Sequence, residues 1–195
     1  LIFLKKGYSL QGDEELMKKV HQGSEAALTE IYQRYSTPMM RYFTRMLWGD
    51  QQKAQDFLQD IFIKIVDNPQ RFDASRKFST WLYSIAHNMC KNEYRKRANH
   101  NRLYEVHYTE SEHVDLTDNL DKQIVKHRLD RVLDELDEED KTLLLLRYEE
   151  DLSIEQISEI VFMPEGTVKS RLFYLRKELA RRLNAFKIIF NEGSI

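Results

Sequence analysis

The residues of this chain that could do chemistry are cations set among aromatics. From His87 to Arg102 stand five basic residues, Lys91, Arg95, Lys96, Arg97 and Arg102, against one acid, Glu93. From Glu165 to Lys187 stand seven basic residues and two acids, with Phe173 and Tyr174 among them. Cations interleaved with aromatic rings suit a nucleic-acid backbone and its bases. The plainer alternative is a pair of solvated helix faces. The acids gather elsewhere: six lie between Glu105 and Asp121, and Asp134 to Asp140 reads Asp-Glu-Leu-Asp-Glu-Glu-Asp. A net charge of −2 therefore conceals two locally positive surfaces.

Other chemistries find no residues to carry them. The sequence has no Gly-rich phosphate loop and no His-Glu-x-x-His pair. Its six His lack ligand spacing, and no metal or other cofactor is expected. The single Cys, Cys90, excludes an internal disulfide framework and a Cys-based zinc site. No run approaches the ~20 apolar residues that span a bilayer. At the N-terminus the apolar residues precede the basic ones, the reverse of a signal peptide. These features predict a cytoplasmic protein without membrane insertion.

The elements that must position the cations are helices. Among 195 residues there are only six Gly and three Pro, and 32% of residues are charged. Asp13–His21 reads as a first helix stopped near Gly23. Ser24 caps a second, with apolar residues from Ala27 to Leu47 and a break or kink expected at Pro38. Ala54, Phe57, Leu58, Ile61, Phe62 and Ile65 stripe a third helix, which Asn68-Pro69 ends. After a polar loop from Arg71 to Lys77, Ser79 or Thr80 starts a fourth, running to about Arg97.

The pattern then fades, and residues 99–122 read as an acidic linker. A second helical block begins near Gln123, and Lys141–Tyr148 is a short Leu-rich helix. Ser153-Ile154-Glu155-Gln156 fits a capping box. That helix runs to about Val161, Phe162-Met163 turns, and Pro164 opens a final basic helix. Helix, tight turn and basic helix form a helix-turn-helix signature. The expected fold is all-α: a domain over 1–98, the linker, a helix-turn-helix domain over 123–184 and a tail over 185–195.

On a helical wheel, Leu172, Leu175 and Leu179 lie within ~40° of Val168. The opposite side carries Gly166, Thr167, Ser170, Phe173, Tyr174, Lys177 and Arg181, with Lys169, Arg171 and Arg176 on the flanks. Small residues first, then aromatic and basic ones, suit entry into a major groove. In the fourth helix Trp81, Leu82, Ile85 and Met89 share one side. The other shows Ser84, His87, Lys91, Tyr94 and Arg95, with Asn88 at the edge.

Three segments, in order, resemble bacterial sigma factors. Ala54–Lys64 is similar to the family's polymerase-binding helix. Phe78–Asn88 is similar to its promoter-melting, minus-ten-reading segment. Asp151–Leu179, with Pro164-Glu165-Gly166-Thr167-Val168-Lys169-Ser170-Arg171-Leu172, resembles its minus-thirty-five-reading helix-turn-helix. Two domains on a short linker, without a large N-terminal region or a middle domain, resemble the extracytoplasmic-function group.

The resemblance implies an alternative sigma factor that binds core RNA polymerase and promoter DNA. It also implies an anti-sigma factor as inhibitor, membrane-bound or not. It places Asp56, Gln59, Asp60 and Phe62 on the polymerase face, with Phe62 partly exposed. The loop from Phe72 to Phe78 holds a flipped base, and Ser84, His87, Asn88, Lys91 and Arg95 lie along the minus-ten DNA. Lys169, Ser170, Arg171, Phe173, Tyr174, Lys177 and Arg181 face the minus-thirty-five element. Gln55 and Asn92 stand where the family usually has acids, and Tyr174 where it has a base. Two other readings fit the residues: a helix-turn-helix regulator acting without polymerase, which has no reason to carry Ala54–Lys64, and a helical adaptor.

Overall fold

The computed structural model describes residues 8, 10–103, 129 and 131–191, with 100–103 and 184–191 described as backbone only. All regular structure among the described residues is helical. The chain divides into two compact units, Leu1–Ala98 with Glu159–Phe162, and Asn99–Ser158 with Met163–Ile195.

In the first unit, α1 (Asp13–His21) buries Leu16, Met17 and Val20. It ends at Gly23, whose φ of 86° is natural only for glycine. α2 (Glu25–Met46) starts where the Ser24 hydroxyl accepts the Ala27 N–H at 3.3 Å. Of the break or kink expected at Pro38, the break does not occur: α2 runs unbroken through it. Proline removes one backbone bond, at a cost of about 3 kcal/mol. Fully buried Ile31 on one side of Pro38 and Met39, Tyr42 and Phe43 on the other hold the helix through the gap. Asp50 caps α3 (Gln51–Asp67), accepting the Lys53 N–H at 2.9 Å.

A short 3-10 turn, Pro69–Arg71, leads into the polar loop. α4 spans Phe78–Leu103, so it starts before Ser79 and passes Arg97. Residues 99–103, read as linker, are therefore helical. The early start has a tertiary cause: the Glu14 carboxylate, 64 residues away, accepts the Phe78 N–H at 3.1 Å. Residues 104–128 of the expected linker and second block lie outside the described residues.

In the second unit, residues 131–134 are helical and bury Val132 and Leu133. α5 (Glu138–Leu144) begins three residues before the expected Lys141, because Asp137 caps it, accepting the Asp140 N–H at 2.8 Å. Asp137, Glu138, Glu139 and Asp140 thus build a helix N-terminus, where negative charge is favoured. The helix closes in a π turn, Leu145–Glu149. α6 (Ile154–Val161) has the expected capping box: the Gln156 N–H donates to Ser153 Oγ at 3.2 Å, and the Ser153 N–H to Gln156 Oε1 at 3.0 Å. Phe162 turns the chain at φ 56°, and α7 (Glu165–Asn191) follows. The tail expected from residue 185 is helical to Asn191.

Candidate functional site

The outer face of α7 is the most developed candidate surface. Val168, Leu172 and Leu175 are buried, which turns the opposite side outward. There Gly166, Thr167, Lys169, Ser170, Phe173, Tyr174, Lys177 and Arg181 are exposed. The Ser170 hydroxyl donates to the Thr167 carbonyl at 3.0 Å. Phe173 meets Tyr174 edge-on, centroids 5.5 Å apart, and the Lys177 ammonium sits 4.4 Å from the Phe173 centroid. The two rings are therefore braced, presenting a rigid apolar tip at little ordering cost.

Arg171 does not belong to that surface. Its guanidinium donates to Asp140 at 2.9 and 2.5 Å and to Glu139 at 2.7 Å, and Asp137 lies 3.9 Å away. The bond to Glu139 is the largest cause raising its pKa, against partial burial and with Asp140 adding. Arg171 ties α7 to the N-terminus of α5. A side chain three residues before Tyr174 faces inward to acids that no local pattern places there.

The fourth-helix assignments divide. Asn88 and Arg95 are exposed and Lys91 is half-buried. Ser84 is half-buried, its hydroxyl donating to the Trp81 carbonyl at 2.7 Å. His87, placed outward from the sequence, is only 4% exposed. Tyr94 also turns in: its hydroxyl donates to the Met46 carbonyl at 2.8 Å and its ring packs on Trp48. In the loop, Phe72 is half-buried against Phe78 and Trp81, with centroids 5.6 and 5.3 Å away. Phe78 is fully buried, fixed by Tyr35 edge-on at 5.1 Å and by Glu14 at its backbone. Phe78 and His87 are core residues, because the buried side of α4 runs through Phe78, Leu82, Tyr83, Ala86, His87 and Cys90, while Trp81, Ile85 and Met89 of the expected stripe are only half-buried.

On α3, Asp56, Gln59 and Asp60 are exposed. Phe62 is 7% exposed, its ring 4.8 Å from Tyr32, so the expected partial exposure is corrected. The apolar residues that do stand out on this helix are Ile63, 47% exposed, and Val66, 48%. The sequence reading missed both. They fall off the buried Ala54–Ile61–Ile65 stripe, and a single off-stripe apolar residue carries no signal of its own.

Two helical units, the second with a basic, aromatic helix-turn-helix face, are the make-up of a DNA-binding transcription protein. Residues 31–100 match the family model of sigma-70 region 2, and residues 126–179 that of sigma-70 region 4. The chain is 32% identical over 177 residues to the ECF RNA polymerase sigma factor SigW of Bacillus subtilis, spanning 86% of this chain and 94% of that protein. It is 31% identical over 181 residues to the ECF RNA polymerase sigma-E factor of Haemophilus influenzae, spanning 88% and 95%. Its fold is similar to CnrH solved in complex with the cytosolic domain of CnrY (TM-score 0.69, 18% identity, 90% of this chain and 99% of that one). It is also similar to the sigma factor RpoE solved with the anti-sigma factor NepR from Bartonella quintana (TM-score 0.65, 24% identity, 80% and 97%). The chain belongs to the extracytoplasmic-function group of sigma-70 RNA polymerase sigma factors. It is an alternative sigma factor that directs transcription initiation at particular promoters.

Proposed function

We propose that the two units divide the work of this sigma factor as follows. The exposed strip of α3, Asp56, Gln59 and Asp60 with Ile63 and Val66, docks on core polymerase. The loop after Phe72 takes a flipped minus-ten base, and Asn88, Lys91 and Arg95 line the opened strand. The outer face of α7 reads the minus-thirty-five element through Ser170, Phe173 and Tyr174, while Lys169, Lys177 and Arg181 meet phosphates. The protein works in the cytoplasm, has no enzymatic activity of its own and is held by an anti-sigma factor. That last point is supported by the similar fold of RpoE, which was solved with the anti-sigma factor NepR. No helix among the described residues is long and apolar enough to cross a membrane.

The observation that carries this reading is the outer face of α7, where exposed aromatic and basic residues lie opposite a buried aliphatic stripe. Base contacts specify and phosphate contacts position. Phe173→Ala is expected to change the ranking of minus-thirty-five variants. Lys177→Ala is expected to weaken all of them alike and to reduce the salt slope by about one. Titration of the full chain against a promoter-variant series at several salt concentrations checks both. An unchanged ranking for Phe173→Ala removes the base-reading role.

A further inference from the structure

The cations of the α7 outer face already have partners inside the protein. Lys169 pairs with Glu165 at 3.1 Å, Lys177 lies over the Phe173 ring, and Arg181 grips Glu178 with a fork of 3.0 and 2.7 Å. Glu178 is the best anchored of these partners. Arg182 also donates to it at 2.7 Å and is itself held by Glu135 at 2.7 Å. The hydrogen bonds from Arg181 and then Arg182 bring the Glu178 carboxyl down to about 2, so it stays charged throughout the neutral range.

We propose that Glu178 acts as a brake on DNA binding: it holds Arg181 away from phosphate and lowers the affinity of the second unit for duplex of any sequence. The inference rests on the reading of the α7 outer face as the DNA-facing one. An anion fixed beside a phosphate-binding cation competes with phosphate for it. Arg181 gives up the fork readily, since a pair this exposed is weak and screened by salt. The contact therefore tempers binding without blocking it.

Each extra phosphate neutralised steepens the dependence of log K on log salt by about 0.9, which near 0.15 M salt is roughly fivefold in affinity. The full-length Glu178→Gln variant, titrated with a labelled random-sequence duplex across a salt series, is expected to bind tighter by up to about fivefold, with a slope steeper by up to about 0.9. In an Arg181→Ala background the same substitution is expected to gain less than about twofold, because the one cation left on Glu178, Arg182, stays held by Glu135. An equal gain in both backgrounds means that Glu178 acts as a bare charge, and overturns the sequestration. Glu15→Gln removes the same charge from α1 of the first unit and leaves duplex binding unchanged; a gain there overturns the local origin. Unchanged affinity and slope for Glu178→Gln, with Lys177→Ala still weakening binding, overturns the brake and leaves the DNA-facing reading standing. If Lys177→Ala is silent as well, the DNA-facing reading falls with it.

Discussion

The two units hold themselves together with different chemistry. The first is bound by rings: Tyr32 on Phe62, Tyr35 on Phe78, Tyr42 on Tyr83, Phe43 on Phe57 and Trp48 on Tyr94, with centroids 4.4 to 5.5 Å apart. The second has an aliphatic core, with Leu143 to Leu146, Leu152, Ile157, Val168, Leu172 and Leu175 buried. Charge fastens its periphery: Arg171 to Asp140 and Glu139, Arg182 to Glu135, and buried Lys141 to Asp134 at 2.6 Å. Its ring pair, Phe173 with Tyr174, is exposed. An aromatic residue therefore means structure in one unit and surface in the other. An arginine on α7 faces solvent or fastens the scaffold according to which side of the helix it leaves.

The largest effect that can break this contrast lies on α3. Phe62→Ala removes a buried ring from the aromatic core and is expected to destabilise the first unit by about 3–5 kcal/mol. Ile63→Ser, one residue on, changes a half-exposed side chain. It is expected to leave stability within about 0.5 kcal/mol. It should nevertheless lower core-polymerase affinity roughly thirtyfold, a loss of about 2 kcal/mol. Urea unfolding together with polymerase titration separates the two. Native stability with lost polymerase binding in Phe62→Ala returns that ring to the interface.

A smaller effect tests the charged unit. Arg171→Ala leaves Asp137, Glu139 and Asp140 without the cation between them. A clamp this accessible is expected to be worth about 1 kcal/mol. Affinity for every minus-thirty-five variant should fall by one common factor at an unchanged salt slope, since the lost group touches no phosphate. A changed ranking or a reduced slope places Arg171 on DNA instead.

Much of this architecture was legible in local sequence. The Ser24 and Ser153 caps, the turn at Gly23, the Val168–Leu175 stripe and the tight turn at Phe162 all rest on contacts spanning a few residues. What escaped was decided across distance. The start of α4 depends on Glu14, and the path of α2 through Pro38 on side chains packed from other helices. Periodicity marks the most apolar side of a helix but does not say how many sides are covered. For that reason His87 and Tyr94 were placed outward, whereas Phe62 and Phe78 were assigned to binding faces by the resemblance. Arg171 was misplaced for the complementary reason: its resemblance to a DNA-reading motif was clear, while its acidic receptor lay 31 residues upstream. Glu178 gave no signal, since an acid on a basic helix ordinarily reads as solvation.

The smallest expected effect sharpens the contrast through pH. Glu178 titrates near 2 in the folded chain against an ordinary value of 4.5, lowered first by Arg181 and then by Arg182. A carboxyl group with a depressed folded pKa favours the folded state above its unfolded pKa. That contribution disappears as pH falls through the folded one. The second unit should therefore lose stability progressively from about pH 4.5 down to about pH 2, by a small amount because the group is exposed and screened. Asp73 in the first unit is also lowered, by Ser75 two residues on, within a loop that fastens no helix to another. Thermal melts of the full chain between pH 7 and pH 2, followed by helicity, test the difference. The acid-sensitive fraction should shrink in Glu178→Gln, which has no proton to gain at that position. An acid response identical in the variant and the parent chain would mean that other carboxylates govern it. The charged fastening of the second unit would then have to rest on Asp134, Glu139 and Asp140.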